Sequence, residues 1–256
     1  MPYQKRLGSV SYDGTNYSGF SISIGKTTVQ QVLEEKITKV FTPIEKTKNF
    51  IEFTSRTDAG VHALDQLIVF DAPDYFENQK LKSILNQRKP HDIVFNWIQS
   101  VPNTYNLRDD VLSKEYVYVI SSSPDNLFLN RYSWAIRKPP NLSSLNNLLS
   151  LLIGKHDFAC FSKESRRYES TICEIYELEC KQNERVPIIT IRINGNRFLY
   201  NMIRRIIGFS IFLCEKDRTI PCTYEELISQ YRSQTSMRAP SSGLFLAKVN
   251  LRSYSL

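Results

Sequence analysis

Short β-rich segments alternate with segments of helical periodicity along the 256-residue chain, and this alternation is typical of a mixed α+β fold. The first half predicts strands at residues 7–12, 50–53, 67–70, 93–98 and 116–120, and helices at residues 29–41 and 76–85. The second half predicts helices at 142–152, 198–213 and 224–231, and strands at 172–180, 188–193 and 243–249. The similar order suggests a duplicated architecture, although no repeat is visible at the level of single residues.

Turn signals separate several of these segments. Asp13-Gly14 and Asn194-Gly195 predict turns, because glycine accepts positive φ without a Cβ clash. Gly154 predicts the left-handed end of the helix at 142–152. The serine-proline stretch at residues 121–124 is the best candidate for a hinge. We therefore predict two halves, residues 1–123 and 124–256.

The charge balance favours an anionic partner without specifying one. Lysine and arginine number 33 against 26 aspartates and glutamates, a net charge of +7. Nucleic acid is one such partner, although many basic proteins bind none. The five cysteines include no CxxC pair and are odd in number, so a reducing compartment is more consistent with them than a complete disulfide framework. The three histidines are widely spaced, which does not favour a zinc site. We therefore expect no metal site.

No membrane span is visible, since no stretch approaches eighteen uncharged apolar residues. No signal peptide is visible either, because the N-terminus runs into strand-like sequence within ten residues. The compartment stays open between mitochondrial and cytoplasmic or nuclear, because the sequence carries no clear targeting signal.

The segment at residues 55–62 has the composition of a binding site. It places the carboxylate of Asp58 between Arg56 and two small residues, Ala59 and Gly60, which allow a ligand backbone to approach closely. The alternative is a structural turn in which Asp58 accepts hydrogen bonds from nearby amides and Arg56 is solvated. Composition alone favours that alternative.

The same segment, Arg-Thr-Asp-Ala-Gly-Val-His-Ala (residues 56–63), resembles the signature of the TruA-type tRNA pseudouridine synthases. The resemblance covers nearly the whole chain. It continues through Tyr-Asp-Gly-Thr-Asn-Tyr-Ser-Gly (12–19), Lys-Glu-Tyr-Val-Tyr (114–118), Gly-Lys-His-Asp-Phe (154–158), Phe-Leu-Tyr-Asn-Met-Ile-Arg-Arg-Ile-Ile-Gly (198–208) and Ala-Pro-Ser-Ser-Gly-Leu-Phe-Leu (239–246).

This resemblance implies two α+β halves whose antiparallel sheets join into one extended central sheet flanked by helices, with an RNA-binding cleft. It implies an isomerase that converts uridine to pseudouridine in tRNA, or in another RNA, without a cofactor, and a homodimer like the bacterial relatives. Asp58 matches the catalytic aspartate, Arg56 the arginine associated with opening the RNA, and Tyr116 the tyrosine that stacks on the target base. Arg204 matches the partner of the aspartate, and Leu244 falls in the apolar stretch that lines the pocket.

Three places depart from the family pattern. Ser55 stands where bacterial members usually have glycine, Phe20-Ser21 where they have tryptophan and glutamine, and Tyr200-Asn201 where they commonly have two histidines. This serine, together with His-Asp-Phe after Gly154-Lys155, resembles the animal pseudouridine-synthase-like branch of the family. Because the matched aspartate, tyrosine and arginine are all kept, the departures affect the choice of substrate more than the chemistry.

The chemistry explains why these residue types are suitable. A carboxylate near C1′ can act as nucleophile, as base or as a stabiliser of positive charge; we favour abstraction of a sugar proton. The uridine must leave its stack first, and Tyr116 and Arg56 offer planar groups to an extruded base. Tyr116 could instead be an ordinary strand aromatic. Arg204 lies in a mostly apolar helix, where a charged side chain is costly unless it is paired. A salt bridge between Arg204 and Asp58 would pair both charges and keep the carboxylate ionised.

Further basic residues are candidates for contacts with RNA phosphates. Arg108, Arg205 and Lys163 are the first of these, and simple solvation is the alternative for each. His62 is expected to be structural or adjacent to the RNA, and Asp13 to be a turn residue. A second function class stays open, in which the chain binds and folds tRNA as a chaperone without catalysis.

Overall fold

The computed structural model describes residues 3–41, 50–216 and 218–253. Within them the strands and α-helices follow in the chain order β1 (Tyr3–Tyr12), α1 (Val29–Phe41), β2 (Glu52–Phe53), β3 (His62–Pro73), α2 (Asn78–Gln87), β4 (Ile93–Ser100), α3 (Leu107–Asp110), β5 (Val111–Ser121), α4 (Leu127–Arg131), β6 (Trp134–Ala135), α5 (Leu142–Ser150), β7 (Gly154–Asp157), β8 (Ile172–Gln182), β9 (Ile188–Gly195), α6 (Met202–Glu215), α7 (Tyr224–Tyr231) and β10 (Leu244–Leu251).

The chain divides into two compact units, Met1–Leu112 with Phe245–Leu256, and Ser113–Leu244. Each unit has strands and helices of its own, so the predicted α+β class is confirmed. The boundary predicted between residues 123 and 124 stays a prediction. None of the helices within the described ranges has the length and apolarity that a membrane crossing requires.

The first unit is built around β1, which pairs antiparallel with both β3 and β4. The short β2 also pairs antiparallel with β3, whereas β10 joins β3 in parallel through Phe245 opposite His62. Helix α1 begins where the Thr28 hydroxyl accepts from the Gln31 amide at 3.4 Å, as the capping-box pattern predicts. Its apolar stripe, which includes the fully buried Leu33, packs into the core of this unit.

The second unit contains the antiparallel order β5-β9-β8-β7, with β6 joined in parallel to β5. Helix α5 begins at Asn141, whose side chain accepts from the Ser144 amide at 2.9 Å, and the helix packs against β8 and α6. Helix α6 is buried over most of its length. Helix α7 has the predicted bounds.

The turn predicted at Asn194-Gly195 is wrong, because both residues belong to β9. A Cβ on Gly195 would lie 2.6 Å from the Glu174 carbonyl oxygen, so glycine is needed here for a close strand contact. Gly154 does have positive φ, at 107°, but it begins β7, and α5 already ends at Ser150.

The turn at Asp13-Gly14 is confirmed, but for a different physical reason. Asp13 accepts from the Thr15 amide at 3.0 Å and begins a short 3-10 helix. A Cβ on Gly14 would overlap the Val61 carbonyl oxygen, so space rather than positive φ requires the glycine. The helix predicted from residue 198 begins only at Met202, because the residue before it is left-handed, with φ 64°.

Candidate active site

Asp58 lies in the loop between β2 and β3, as predicted. Backbone hydrogen bonds hold this loop on both sides of the carboxylate. The Phe20 amide donates to the Thr57 carbonyl at 3.1 Å, and the Gly60 amide donates to the Tyr17 carbonyl at 3.2 Å. Asp58 itself is half-buried. The first unit therefore fixes the backbone around Asp58 while part of the residue faces solvent.

Gly19 brings a second backbone segment against the same loop. Its φ is +104°, and a Cβ there would lie 3.0 Å from the Thr57 carbonyl oxygen and 3.4 Å from the Ala59 nitrogen. The Tyr12 and Thr57 hydroxyls, both buried, are hydrogen-bonded at 2.8 Å. The residue that precedes Asp58 is thus fixed through its backbone and through its side chain.

His62 follows the loop and is buried, with 2% of its side chain exposed. Its Nδ1 accepts from the Gly14 amide at 3.1 Å and lies 3.2 Å from Asp13 Oδ1. Its ring stacks on Phe245, with centroids 4.7 Å apart. These contacts give His62 the structural role that the sequence allowed.

Two predicted RNA contacts of the first unit are exposed. Arg56 lies two residues before Asp58 in the same loop. Arg108 lies in the short helix α3, where the Asn106 side chain accepts from its amide at 3.1 Å. Both guanidinium groups are therefore accessible to an RNA phosphate.

Tyr116 is in the middle of β5, opposite Ile193 of β9. Only 8% of it is exposed, and its ring meets Phe198 edge to face, with centroids 5.4 Å apart. Tyr118, two residues along, points to the same side of the strand and donates to the Pro240 carbonyl at 2.9 Å. Burial raises the pKa of Tyr118, so its phenol stays protonated as a donor.

Arg204 is buried on α6, and two hydrogen bonds join it to Ala239. The Arg204 Nε donates to the Ala239 carbonyl, and the Ala239 amide donates to the Arg204 carbonyl, both at 2.9 Å. Gly208, one turn further, makes this approach possible, since a Cβ there would lie 2.8 Å from the Ala239 nitrogen. The orientation of the guanidinium is therefore set by the segment that precedes β10.

Leu244 begins β10 and is buried, with 5% exposed. The preceding Gly243 lies against β5, where a Cβ would be 2.7 Å from the Val119 carbonyl oxygen and 2.8 Å from the Tyr118 ring. Leu244 thus has a fixed position at the end of a tightly packed turn.

Lys163 and Arg205 lie close to one another in the second unit. Arg205 is half-buried, and its Nη1 donates to the carbonyl of Ser162, the residue before Lys163, at 2.8 Å. The Lys163 ammonium lies 5.9 Å from the centre of the exposed Tyr200 ring. The structure also brings Arg238 to this place, where its Nη1 donates to the Asn201 side-chain oxygen at 2.9 Å. Sequence reasoning missed Arg238, because no local pattern distinguishes it from other surface arginines.

The predicted site residues are thus divided between the units. Arg56, Asp58 and Arg108 belong to the first, and Tyr116, Arg204 and Leu244 belong to the second together with Lys163 and Arg205. No group of three or more His, Cys, Asp or Glu residues that could hold a metal ion occurs in the described part of the chain.

Comparison with known proteins agrees with the motifs. A family model described as tRNA pseudouridine synthase matches residues 9–108 and 148–251. A protein of Thermoanaerobacter sp. (strain X514), named tRNA pseudouridine synthase A, is 35% identical over 241 residues, which are 94% of this chain and 96% of that protein. A protein of Bacillus thuringiensis subsp. konkukian (strain 97-27), named tRNA pseudouridine synthase A 2, is 32% identical over 242 residues, 94% of this chain and 97% of its own.

Among solved structures, one chain of an H/ACA RNP bound to a substrate RNA containing 2′-deoxyuridine matches with a TM-score of 0.35 and 12% identity. The match covers 81% of this chain and 43% of that chain.

The family match and the near-complete coverage of both relatives define the class of enzyme. The chain belongs to the TruA-type tRNA pseudouridine synthase family. As a member of this family it is an isomerase that acts on RNA and converts uridine in tRNA to pseudouridine.

Proposed function

We propose that Asp58 is the catalytic carboxylate of this pseudouridine synthase. The observation that supports the proposal is the way its loop is held, with backbone hydrogen bonds to residues 17 and 20 on either side of a half-buried aspartate. A carboxylate must be held to within a fraction of an ångström to act on a sugar, and a backbone fixed on both sides meets that need.

The reaction needs one group near C1′ and no redox chemistry. The N1–C1′ bond breaks, the uracil turns, a C5–C1′ bond forms, and the proton on C5 is lost to solvent while N1 gains one. Asp58 can serve by abstracting a sugar proton, by attacking C1′ or by stabilising the positive charge that develops there. Of these we propose abstraction of the C2′ proton: its electron pair forms a C1′–C2′ double bond as the N1–C1′ bond breaks, and Asp58 returns the proton to C2′ when C5 bonds to C1′. A deuterium at C2′ would then slow turnover severalfold, and attack at C1′ predicts no such slowing.

The remaining residues take their roles from the family resemblance. We propose that the exposed Arg56 contacts RNA as the target uridine leaves its stack, which costs a few kcal/mol, and that Tyr116 stacks on the extruded base. We further propose that Arg204 acts as the partner of the carboxylate and that Leu244 lines the uracil pocket. Arg108, Arg205 and Lys163 are proposed contacts to the RNA backbone.

Release of tritium from tRNA that carries 5-tritiated uridine measures the reaction directly. We expect Asp58→Ala to lower the rate about 100-fold to 10,000-fold. Asp71→Asn is the matched control, because it removes an exposed carboxylate from β3 and should release tritium like the wild type. Equal rates in wild type and Asp58→Ala would refute the assignment. No release by either would favour a protein that folds tRNA without catalysis.

We also propose a homodimer, supported by the resemblance to bacterial relatives. Sedimentation velocity should give twice the mass of one chain at micromolar concentration, and the mass of a single chain would contradict the proposal.

A further inference from the structure

Three cationic residues of the second unit lie next to Tyr200 and Asn201: Lys163 and Arg238 approach them with their side chains, and the Arg205 side chain lies at Ser162, the residue before Lys163. The Lys163 amide donates to the Tyr200 carbonyl at 3.2 Å, so the backbone of Lys163 lies directly against the backbone of Tyr200. Asn201 contacts both arginines, since its carbonyl accepts from the Arg205 amide at 3.0 Å and its side chain accepts from Arg238 Nη1 at 2.9 Å. We call Lys163, Arg205 and Arg238 the Asn201 cation cluster.

The acceptors that hold the two arginines carry no charge. Arg205 donates to a backbone carbonyl and Arg238 to an amide oxygen, so neither hydrogen bond neutralises a guanidinium. Among the described residues of this unit, ion pairs join other side chains: Arg167 pairs with Glu164, Lys181 with Glu179, and Arg192 with Glu115. The cluster therefore keeps its positive charge.

Arg205 also lies within electrostatic reach of Arg238. The pKa of Arg205 is lowered, first by burial and then by the charge of Arg238. Like charges held together on a folded surface raise its energy, and a bound anion removes that cost. A planar guanidinium pair suits the oxygens of a phosphate in particular.

We propose that the Asn201 cation cluster binds the RNA backbone, with Arg205 and Arg238 sharing one phosphate and Lys163 contacting a neighbouring one. The inference deepens the proposed function, because it rests on the RNA substrate and adds Arg238 and a shared phosphate to the contacts predicted from sequence. Arg238 is exposed and Arg205 is half-buried, so both retain surface that a strand of RNA can reach.

Equilibrium binding of unmodified tRNA between about 50 and 200 mM salt tests this assignment, since each phosphate contact adds to the salt dependence. We expect Arg205→Gln and Arg238→Gln each to weaken binding about tenfold at low salt, and to reduce the slope of log affinity against log salt by about one. If they share one phosphate, the double variant should lose no more slope than either single variant. Arg185→Gln, which removes an exposed arginine between β8 and β9, is the matched control and should keep the wild-type slope.

Three outcomes would overturn the assignment. Wild-type slopes in both single variants would exclude phosphate contact, and a loss of about two in the double variant would exclude a shared phosphate. The third outcome comes from calorimetry with inorganic phosphate. If Arg238→Gln abolishes phosphate binding but leaves the salt dependence of tRNA binding unchanged, the cluster is a site for a small anion and does not contact the RNA backbone. Because Arg238 is exposed, its variant tests the idea even if Arg205→Gln unfolds. These experiments measure binding and not turnover, so their result does not depend on whether Asp58 is catalytic.

Discussion

Gly19 lies directly against Thr57, the residue before Asp58, and an added Cβ would approach the Thr57 carbonyl oxygen to 3.0 Å. The Phe20 amide donates to that same oxygen at 3.1 Å, so the contact and the hydrogen bond fix one point of the loop. The position of Asp58 is therefore linked to the conformation of a glycine 39 residues earlier in the chain.

Gly19→Ala should destabilise the protein by about 1–3 kcal/mol and lower turnover, because φ is +104° and the new methyl group pushes against the loop. Gly25→Ala is the matched control, since Gly25 also has positive φ, at +72°, but has nothing within 4 Å. Urea unfolding and tritium release measure the two effects. A loss of turnover in Gly25→Ala as large as in Gly19→Ala would mean that contact with the loop is unimportant.

The buried hydrogen bond between Tyr12 and Thr57 should contribute about 1 kcal/mol of coupling energy. Each single variant, Tyr12→Phe or Thr57→Val, leaves the hydroxyl of the other residue buried without this hydrogen bond. The double variant removes both hydroxyls. We expect the double variant to lose less stability than the sum of the single variants, as measured by urea unfolding. Strictly additive losses would show that the two hydroxyls do not interact.

If Arg204 has the role proposed for it, Arg204→Leu should lower the rate of turnover about a hundredfold while tRNA affinity is kept, since loss of a partner of the carboxylate affects the reaction rather than binding. Arg192→Leu removes an exposed arginine that pairs with Glu115 and is the control. Single-turnover rates and equilibrium binding separate the two effects. Weakened binding with an unchanged rate would reject the role of Arg204.

Burial lowers the pKa of Lys114 from 10.5 to about 8, which gives the stability a defined pH dependence. Between these two values the unfolded chain holds a proton that the folded protein lacks, so stability rises with pH. Below about pH 8 the cost of burying the charge is fully present. Between pH 7.5 and 10.5 the free energy of unfolding of the wild type should rise by up to about 3 kcal/mol relative to that of Lys114→Met. A constant difference would contradict the lowered pKa, and the exposed Lys181→Met is the control.

Local patterns predicted the elements that local interactions specify. Helix α1 follows a capping box, and α7 begins at Thr223, whose hydroxyl accepts from the Glu226 amide at 3.2 Å. These signals act within one helical turn, so the sequence alone contains them.

Contacts between distant residues were not predictable in this way. Asn194-Gly195 has turn composition, but pairing with β8 overrides it. The return of β10 to β3 joins residues 62 and 245, which no local pattern encodes. The same limit applies to the candidate site, since the motif identified Asp58 but not the support that Gly19 gives its loop.

If the Asp58 carboxylate carries the reaction, Asp58→Asn should largely stop turnover, because the amide keeps the size of the side chain and removes its charge. Pseudouridine formed per tRNA should be quantified by nucleoside chromatography under single-turnover conditions, with tRNA binding measured in parallel. We predict wild-type affinity with a rate lowered about 100-fold or more. A wild-type rate of pseudouridine formation in Asp58→Asn would show that the reaction does not need this carboxylate.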